Sequence, residues 1–99
     1  MLRKSEANRS RLLFELSLGI CKVSFRKVSN GQFRTIYCTL KKEMIPEKYH
    51  DTIQLIIGEQ NFLDVLPIYD IKEKAWKSFY IPRLNVFLTT EDLSKEKII

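Results

Sequence analysis

The stretch that decides the fold runs from Ile20 to Leu40, ICKVSFRKVSNGQFRTIYCTL. Its centre is Asn30-Gly31, the dipeptide that favours a two-residue type I′ turn, because both central residues of that turn need positive φ. The runs on either side of the dipeptide are rich in β-branched and aromatic residues. This stretch therefore predicts a β-hairpin.

The predicted hairpin has one apolar and one polar face. Counting outward from the turn sets Val23 opposite Cys38 and Arg26 opposite Thr35. Because side chains of a strand alternate between two faces, the residues on the inner face are Cys21, Val23, Phe25, Ile36, Cys38 and Leu40. Those on the outer face are Lys22, Ser24, Arg26, Thr35, Tyr37 and Thr39. A slip of one residue would mix the two sets, so the faces constrain the register.

Helices are predicted on both sides of the hairpin. Residues 5–18 form the first, with Ser5 as its N-cap and Gly19 at its end, and residues 1–4 are expected to fray. The segment from Glu47 to Ile57 has apolar residues on one side and predicts a second, short helix.

Three further strands follow from the second half of the chain. The run from Phe62 to Ile71 contains Pro67, which argues for an edge or a bulge because proline has no N–H to donate. Residues 68–84 predict a second hairpin, in whose loop Asp70 accepts hydrogen bonds from backbone amides. Asn85 to Thr89 form one last short strand.

These elements define a mainly β (α+β) fold class. We expect a small five-stranded antiparallel SH3-like or Sm-like barrel with an N-terminal helix and one short inserted helix. At 99 residues the chain is long enough for a single domain. Its parts are the helix at residues 5–18, the barrel at residues 20–89 and a charged tail, expected to be mobile, at residues 90–99.

The net charge of +5 is unevenly distributed. Residues 1–42 hold ten Lys or Arg against two acidic residues, a balance of +8, and residues 43–99 hold seven against ten, a balance of −3. A basic half indicates a polyanionic partner, whether nucleic acid, a nucleotide or an acidic protein surface. The alternative is a solvated face that keeps the protein soluble.

Several function classes lack any signature. His50 has no Ser or Cys placed to use it, and the glycines are too far apart for a phosphate-binding loop, so we expect no enzyme and no cofactor. Cys21 and Cys38 fit reduced core thiols and do not make a metal site. No apolar run approaches the roughly 20 residues of a membrane span, and no secretory signal is present, so a cytoplasmic location is expected.

The sequence also resembles a known family. The residues that carry the resemblance are Tyr37-Cys38-Thr39-Leu40, Ile45-Pro46 and Ile68-Tyr69-Asp70, followed by Lys74, Trp76, Lys77, Ser78 and Phe79. Over about residues 20–88 the chain resembles small uncharacterised tailed-bacteriophage proteins with a WYL-like, Sm-like SH3 β-barrel fold, which implies the host cytoplasm as its location. It resembles more distantly the WYL domains of bacterial transcription regulators, which sense nucleotide-like or nucleic-acid ligands. The contiguous Trp-Tyr-Leu triplet is absent, and Phe79-Tyr80-Ile81 stands where WYL relatives often carry a basic residue after phenylalanine.

The polar hairpin face is the candidate binding site. Lys22, Arg26 and Arg34 can neutralise phosphates, and Tyr37 and Phe33 offer rings for stacking. Further candidates are Arg9 and Arg11 on the first helix, which extend the basic surface, and Trp76, which is either a core anchor or a stacking residue. In the alternative interpretation, the rings pack beneath the helix and the charges are merely solvated.

Two functional hypotheses remain. In the first, the protein is a non-enzymatic module that binds single-stranded DNA, RNA or a nucleotide through this face. In the second, it is a protein-interaction module, such as a phage accessory factor, that docks on an acidic partner. A homo-oligomer is compatible with either, because an open barrel leaves strand edges that can pair between subunits.

Overall fold

The computed structural model describes residues 1–58 and 64–96, without the side chains of Lys4 and Glu96. Its helices are α1 (Arg9–Leu18), α2 (His50–Gly58) and α3 (Thr90–Glu96). Its strands are β1 (Cys21–Arg26), β2 (Phe33–Thr39), β3 (Val65–Asp70), β4 (Ala75–Tyr80) and β5 (Leu84–Leu88). Single 3-10 turns lie at Lys4–Glu6, Lys42–Met44, Glu47–Tyr49 and Ile81–Arg83. Residues 59–63, which include the start of the predicted third strand, and residues 97–99 lie outside the described residues.

All five strands form one antiparallel sheet in the order β4-β3-β2-β1-β5. This confirms the expected fold class, an Sm-like SH3 architecture with an N-terminal helix and a short inserted helix. The sheet curls around its apolar face but does not close, because β4 and β5 end the strand order without pairing to each other in the described residues.

The predicted register of the first hairpin is wrong by two residues. Cys21 pairs with Cys38 and Arg26 pairs with Phe33, instead of with Leu40 and Thr35. Because the shift is even, both predicted faces survive it, and the inner-face residues are buried while the outer-face residues of β1 remain half-buried or exposed.

The turn explains the shift. The loop spans residues 28–31, and the amide of Lys27 donates to the carbonyl of Gln32 at 2.8 Å to close it. Gly31 has a φ of 72° and Asn30 does not enter the left-handed region, so the predicted type I′ turn is absent. The Asn30 side-chain oxygen instead accepts a hydrogen bond from the Gln32 amide at 3.0 Å.

Both ends of the described chain are more ordered than predicted. Leu2 is buried and its amide donates to Phe87 at 3.2 Å, so residues 1–4 are not frayed. The N-cap of α1 is Asn8 rather than Ser5, and its side chain accepts from the Arg11 amide at 2.9 Å.

Helix α3 occupies most of the segment that was expected to be a mobile tail. Thr89 and Asp92 cap it reciprocally: the Thr89 amide donates to Asp92 at 2.9 Å, and the Asp92 amide donates to the Thr89 hydroxyl at 3.1 Å. No helix in residues 1–58 or 64–96 is long and apolar enough to cross a membrane.

Two apolar clusters stabilise the sheet. The larger lies on its inner face, where Leu12 and Leu16 of α1 are fully buried against the strands. The smaller joins Ile53 of α2 and Ile45 to Tyr69 of β3, with Tyr49 and Trp76 packed against them.

The open end of the first hairpin is joined to the turn end of the second. Strands β2 and β3 pair through Cys38–Asp70 and Thr39–Tyr69, whereas β3 and β4 pair along their whole length. Pro67 therefore has a partner on β4 and none on β2 among the described residues, which is the edge-like position that its missing N–H predicts. A cleft lies between the tip of the first hairpin and the open end of the second, where Val65 pairs with Tyr80.

Candidate nucleic-acid interface

The cleft between the tip of the first hairpin and the open end of the second has a volume of about 510 Å³. We call it the basic cleft, and its lining residues are Phe25, Arg26, Lys27, Val28, Ser29, Arg34, Val65, Lys77, Ser78, Phe79, Tyr80 and Arg83. Five of these side chains are basic and none is acidic. A concave site that is lined only by positive charges concentrates anions from solution.

Strand parity explains why the basic side chains converge. Lys27 and Arg34 share the parity of the buried inner face, but they lie at the hairpin tip, beyond the reach of the apolar core. Lys77 likewise precedes the buried Phe79 by two residues on β4. Arg83 follows Pro82 in the 3-10 turn that leads into β5. Each long side chain can thus turn from the core edge into the opening.

One carboxylate partly neutralises this set from outside the lining. Glu73, in the turn between β3 and β4, accepts a hydrogen bond from the Lys77 ammonium at 2.7 Å and lies 3.8 Å from the Arg34 guanidinium. The hydrogen bond and charge of Lys77, and then the charge of Arg34, hold the pKa of Glu73 below its usual value. Glu73 is therefore ionised at neutral pH and competes with any anion for both cations.

Aromatic rings lie in and beside the basic cleft. Phe25 and Phe79 stack at its floor with ring centroids 5.6 Å apart, but both are buried. Tyr80 is 36% exposed, and Phe33 at the hairpin tip is 59% exposed with the Arg26 guanidinium 4.8 Å from its ring centroid. Tyr80 and Phe33 are thus the rings on which a base could stack.

The structure divides the predicted hairpin residues between two places. Arg26 and Arg34 line the basic cleft, and Phe33 stands beside it. Lys22 and Tyr37 lie at the base of the hairpin, where the ammonium groups of Lys22 and Lys72 are 5.9 and 5.1 Å from the Tyr37 ring centroid.

The predicted arginines of α1 do not join the hairpin tip. Arg9 donates to the Val65 carbonyl at 2.7 Å and to the Ile56 carbonyl at 3.4 Å, so it ties α1 to β3 and α2. Arg11 forms an ion pair with Glu15 at 3.1 Å on its own helix. Both side chains have structural contacts where we expected an extension of the basic surface.

Trp76 occupies the smaller apolar cluster. Its ring meets those of Tyr49 and Tyr69 edge-on, at centroid distances of 5.7 and 5.5 Å. Of the two predicted roles for Trp76, these contacts favour the core anchor over a stacking residue.

Lys27, Lys77 and Arg83 are the basic cleft residues that the predicted site left out, and Tyr80 is the exposed aromatic residue that it left out. The signal for two of them was in the sequence, since Lys27 and Lys77 have inward parity where the apolar pattern of their strands ends.

The described residues hold few other reactive groups. A ring nitrogen of His50 is 3.0 Å from the Ile45 carbonyl, a contact that fixes the start of α2. Cys21 and Cys38 are buried and not joined by a disulfide; burial raises the pKa of Cys21 to about 12 and that of Cys38 well above its ordinary value. Within residues 1–58 and 64–96, no cluster of three or more His, Cys, Asp or Glu could hold a metal ion.

Comparison with known proteins identifies a family. A protein-family model described as WYL_2, Sm-like SH3 beta-barrel fold, matches residues 9–85, from the first residue of α1 into β5. No curated protein and no solved structure matches the chain. The bacteriophage source that the sequence resemblance implied stays a prediction.

Proposed function

Because the chain belongs to the WYL_2 family, whose Sm-like SH3 β-barrel fold indicates a small binding module, we propose that it binds single-stranded nucleic acid in the basic cleft and performs no chemistry there. The observation that carries the proposal is the convergence of five basic side chains on one cavity whose lining includes no carboxylate. Phosphate neutralisation supplies most of the affinity of proteins that bind nucleic acid without sequence preference.

The shape of the cleft supports a single strand. A volume of about 510 Å³ lies within the range of roughly 300–1,000 Å³ typical of small-ligand sites, so one or two nucleotides fit where a rigid duplex does not. Tyr80 and Phe33 place exposed rings next to the cations, and base stacking on aromatic side chains contributes about 1–3 kcal/mol per base.

A mononucleotide has the same phosphate and base chemistry as one unit of a strand. A strand differs because its successive phosphates can reach Arg26 at the hairpin tip and Arg83 at the opposite wall together. We therefore expect an oligonucleotide to bind more tightly than a free nucleotide, with stronger salt dependence, since each released counterion adds to the slope.

The test is fluorescence anisotropy of labelled DNA and RNA oligomers of about ten nucleotides, titrated at several salt concentrations. The slope of log K against log salt is about −0.7 for each phosphate neutralised on a single strand, so two or three contacted phosphates give about −1.4 to −2.1. The Arg26→Glu/Arg83→Glu variant should abolish binding. The Arg3→Glu/Lys48→Glu variant changes the net charge equally on exposed residues outside the cleft and should retain most of it.

A third variant separates the cleft from the outer hairpin face. Lys22→Glu/Tyr37→Ala alters the base of the hairpin and leaves the cleft intact, so it should bind nearly as well as the wild type. Loss of binding in this variant with retention in Arg26→Glu/Arg83→Glu would move the site to the outer face. If the wild-type protein does not bind the labelled oligomers at low salt, the proposal is overturned.

A further inference from the structure

A second cavity, of about 640 Å³, lies at the other end of the first hairpin. We call it the apolar groove. One wall is formed by Leu18 at the end of α1 and by Leu93 of α3. The other is formed by Tyr37 of β2, by Met44 in the segment that follows β2, and by the turn after β3. None of these residues belongs to the basic cleft, so a ligand here would leave that site free.

Large apolar side chains are exposed along this groove. Leu18 is 49% exposed and Met44 is 43% exposed. Phe14 precedes Leu18 by one helical turn and is 58% exposed, so it continues the apolar surface along α1. A contiguous exposed apolar surface of this kind marks an interaction site more often than scattered exposed residues do.

The walls of the groove are held in place without a ligand. The Thr90 hydroxyl of α3 donates to the Ile20 carbonyl at 2.9 Å, and a Cβ on Gly19 would meet the Thr90 side chain at 3.0 Å. The buried Thr39 hydroxyl lies 2.8 Å from the carbonyl of Gly19 and 3.2 Å from that of Leu16, so it fixes the end of α1 to β2. A preformed groove loses little conformational entropy on binding.

The charge around the groove selects the occupant. Lys41 and Lys72 line it, no lining residue is acidic, and the ion pairs of the described residues involve neither lysine. Lys22 adds a third ammonium group next to the Tyr37 ring. A nucleic-acid backbone would satisfy the lysines but gain nothing from Leu18 and Met44, and a second copy of this chain carries a repelling net charge of +5.

We propose that the apolar groove docks a short acidic amphipathic segment of a partner protein. Apolar side chains of that segment pack on Leu18, Met44 and Leu93, and its carboxylates meet Lys41 and Lys72 at the rim. Methionine suits such a surface because its flexible thioether adapts to different side chains. The protein would then connect a nucleic acid in the basic cleft to a protein in the groove.

The test uses the full chain and three synthetic helical peptides of about twelve residues, so that one face of about three turns is presented. The first has Leu and Phe on one face and Glu elsewhere; the second has Lys in place of Glu; the third has Ser in place of the apolar residues. Amide chemical shifts of the ¹⁵N-labelled protein locate the binding site, and anisotropy gives the affinity. We expect the first peptide to shift the groove resonances and to bind at least about tenfold more tightly than the others, because it alone satisfies both the apolar walls and the lysines.

Matched variants complete the test. Leu18→Glu, Met44→Glu and the Lys41→Glu/Lys72→Glu double variant should each weaken the first peptide at least about tenfold. Leu55→Glu places the same change on a 73% exposed leucine of α2 and should have no effect. Shifts centred on the basic cleft, equal binding of the Glu and Lys peptides, or no binding of the first peptide would overturn the proposal, and none of these outcomes bears on nucleic-acid binding.

Discussion

Phe25 of β1 stacks on Phe79 of β4, with ring centroids 5.6 Å apart and planes inclined by 26°. The two strands are not neighbours in the sheet, since β3 and β2 lie between them in the strand order. The stack therefore joins the two hairpins across the curled interior, at the floor of the basic cleft, where β2 and β3 no longer pair.

Replacing either ring by leucine should weaken this connection between the hairpins. We expect Phe25→Leu and Phe79→Leu each to lower the free energy of unfolding by about 1–2 kcal/mol. The double variant should lose less than the sum of the two, because the ring-on-ring contact contributes about 0.5–1.5 kcal/mol and can be lost once only. Urea unfolding measures all three. Phe14→Leu on the exposed face of α1 is the control, and fully additive losses at Phe25 and Phe79 would contradict the coupling.

The glycine of the hairpin loop should tolerate a side chain poorly. Gly31 has a φ of 72°, so Gly31→Ala should destabilise the protein by about 1–2 kcal/mol although no atom lies within 4 Å of the added Cβ. Gly58→Ala in α2 meets equally open space without a positive φ and should stabilise by up to about 1 kcal/mol. Thermal unfolding distinguishes the two signs. A neutral Gly31→Ala variant would show that the loop does not need the left-handed conformation.

Strand faces could be predicted from the sequence because they depend on side-chain alternation alone. The inner positions Val23 and Ile36 are buried as expected. Register depends in addition on the backbone angles of the turn, and the Asn30-Gly31 dipeptide is compatible with more than one loop. In this protein the Asn30 side chain bonds to the Gln32 amide, which lengthens the loop and shifts the pairing by two residues.

The chemistry of the candidate site was predictable, but its location was not. The charge count directed attention to the first hairpin, two of whose arginines, Arg26 and Arg34, line the cleft. Lys77 and Arg83 come from a part of the chain with a net negative charge. Arg83 lies near Arg26 because Leu84 pairs with Phe25, and Lys77 lines the same cleft because the curled sheet stacks Phe79 on Phe25. Contacts between residues that are distant in the sequence produce no local periodic pattern, so they could not be predicted from it.

Removing the competing carboxylate should strengthen nucleic-acid binding. Glu73 pairs with Lys77 and Arg34, so Glu73→Gln frees two cleft cations for phosphate. We expect about twofold to fivefold tighter binding of a single-stranded oligomer and a steeper salt dependence, measured by anisotropy. Glu91→Gln, which removes the exposed partner of Lys95 on α3, is the matched control and should leave binding unchanged. Equal tightening in both variants would indicate a general charge effect.

The buried thiols should make the protein less stable in alkali. Cys21 and Cys38 stay protonated in the folded state because burial raises the pKa of Cys21 to about 12 and that of Cys38 well above its ordinary value. In the unfolded chain both ionise near a pKa of about 8.5. Above that pH the unfolded state binds fewer protons than the folded state, so the stabilisation is complete below about pH 8.5 and decreases as pH rises towards the folded pKa values.

The expected slope is about 1.4 kcal/mol per pH unit for each thiol once the pH exceeds about 9. Urea unfolding under reducing conditions, at intervals from roughly pH 7 to about pH 9.5, measures the slope before the lysines and tyrosines titrate strongly. Cys21→Ala leaves one of the two buried thiols and should halve the slope, whatever it does to stability at pH 7. A wild-type slope near zero, or one that the substitution does not change, would mean that these thiols reach solvent in the folded protein.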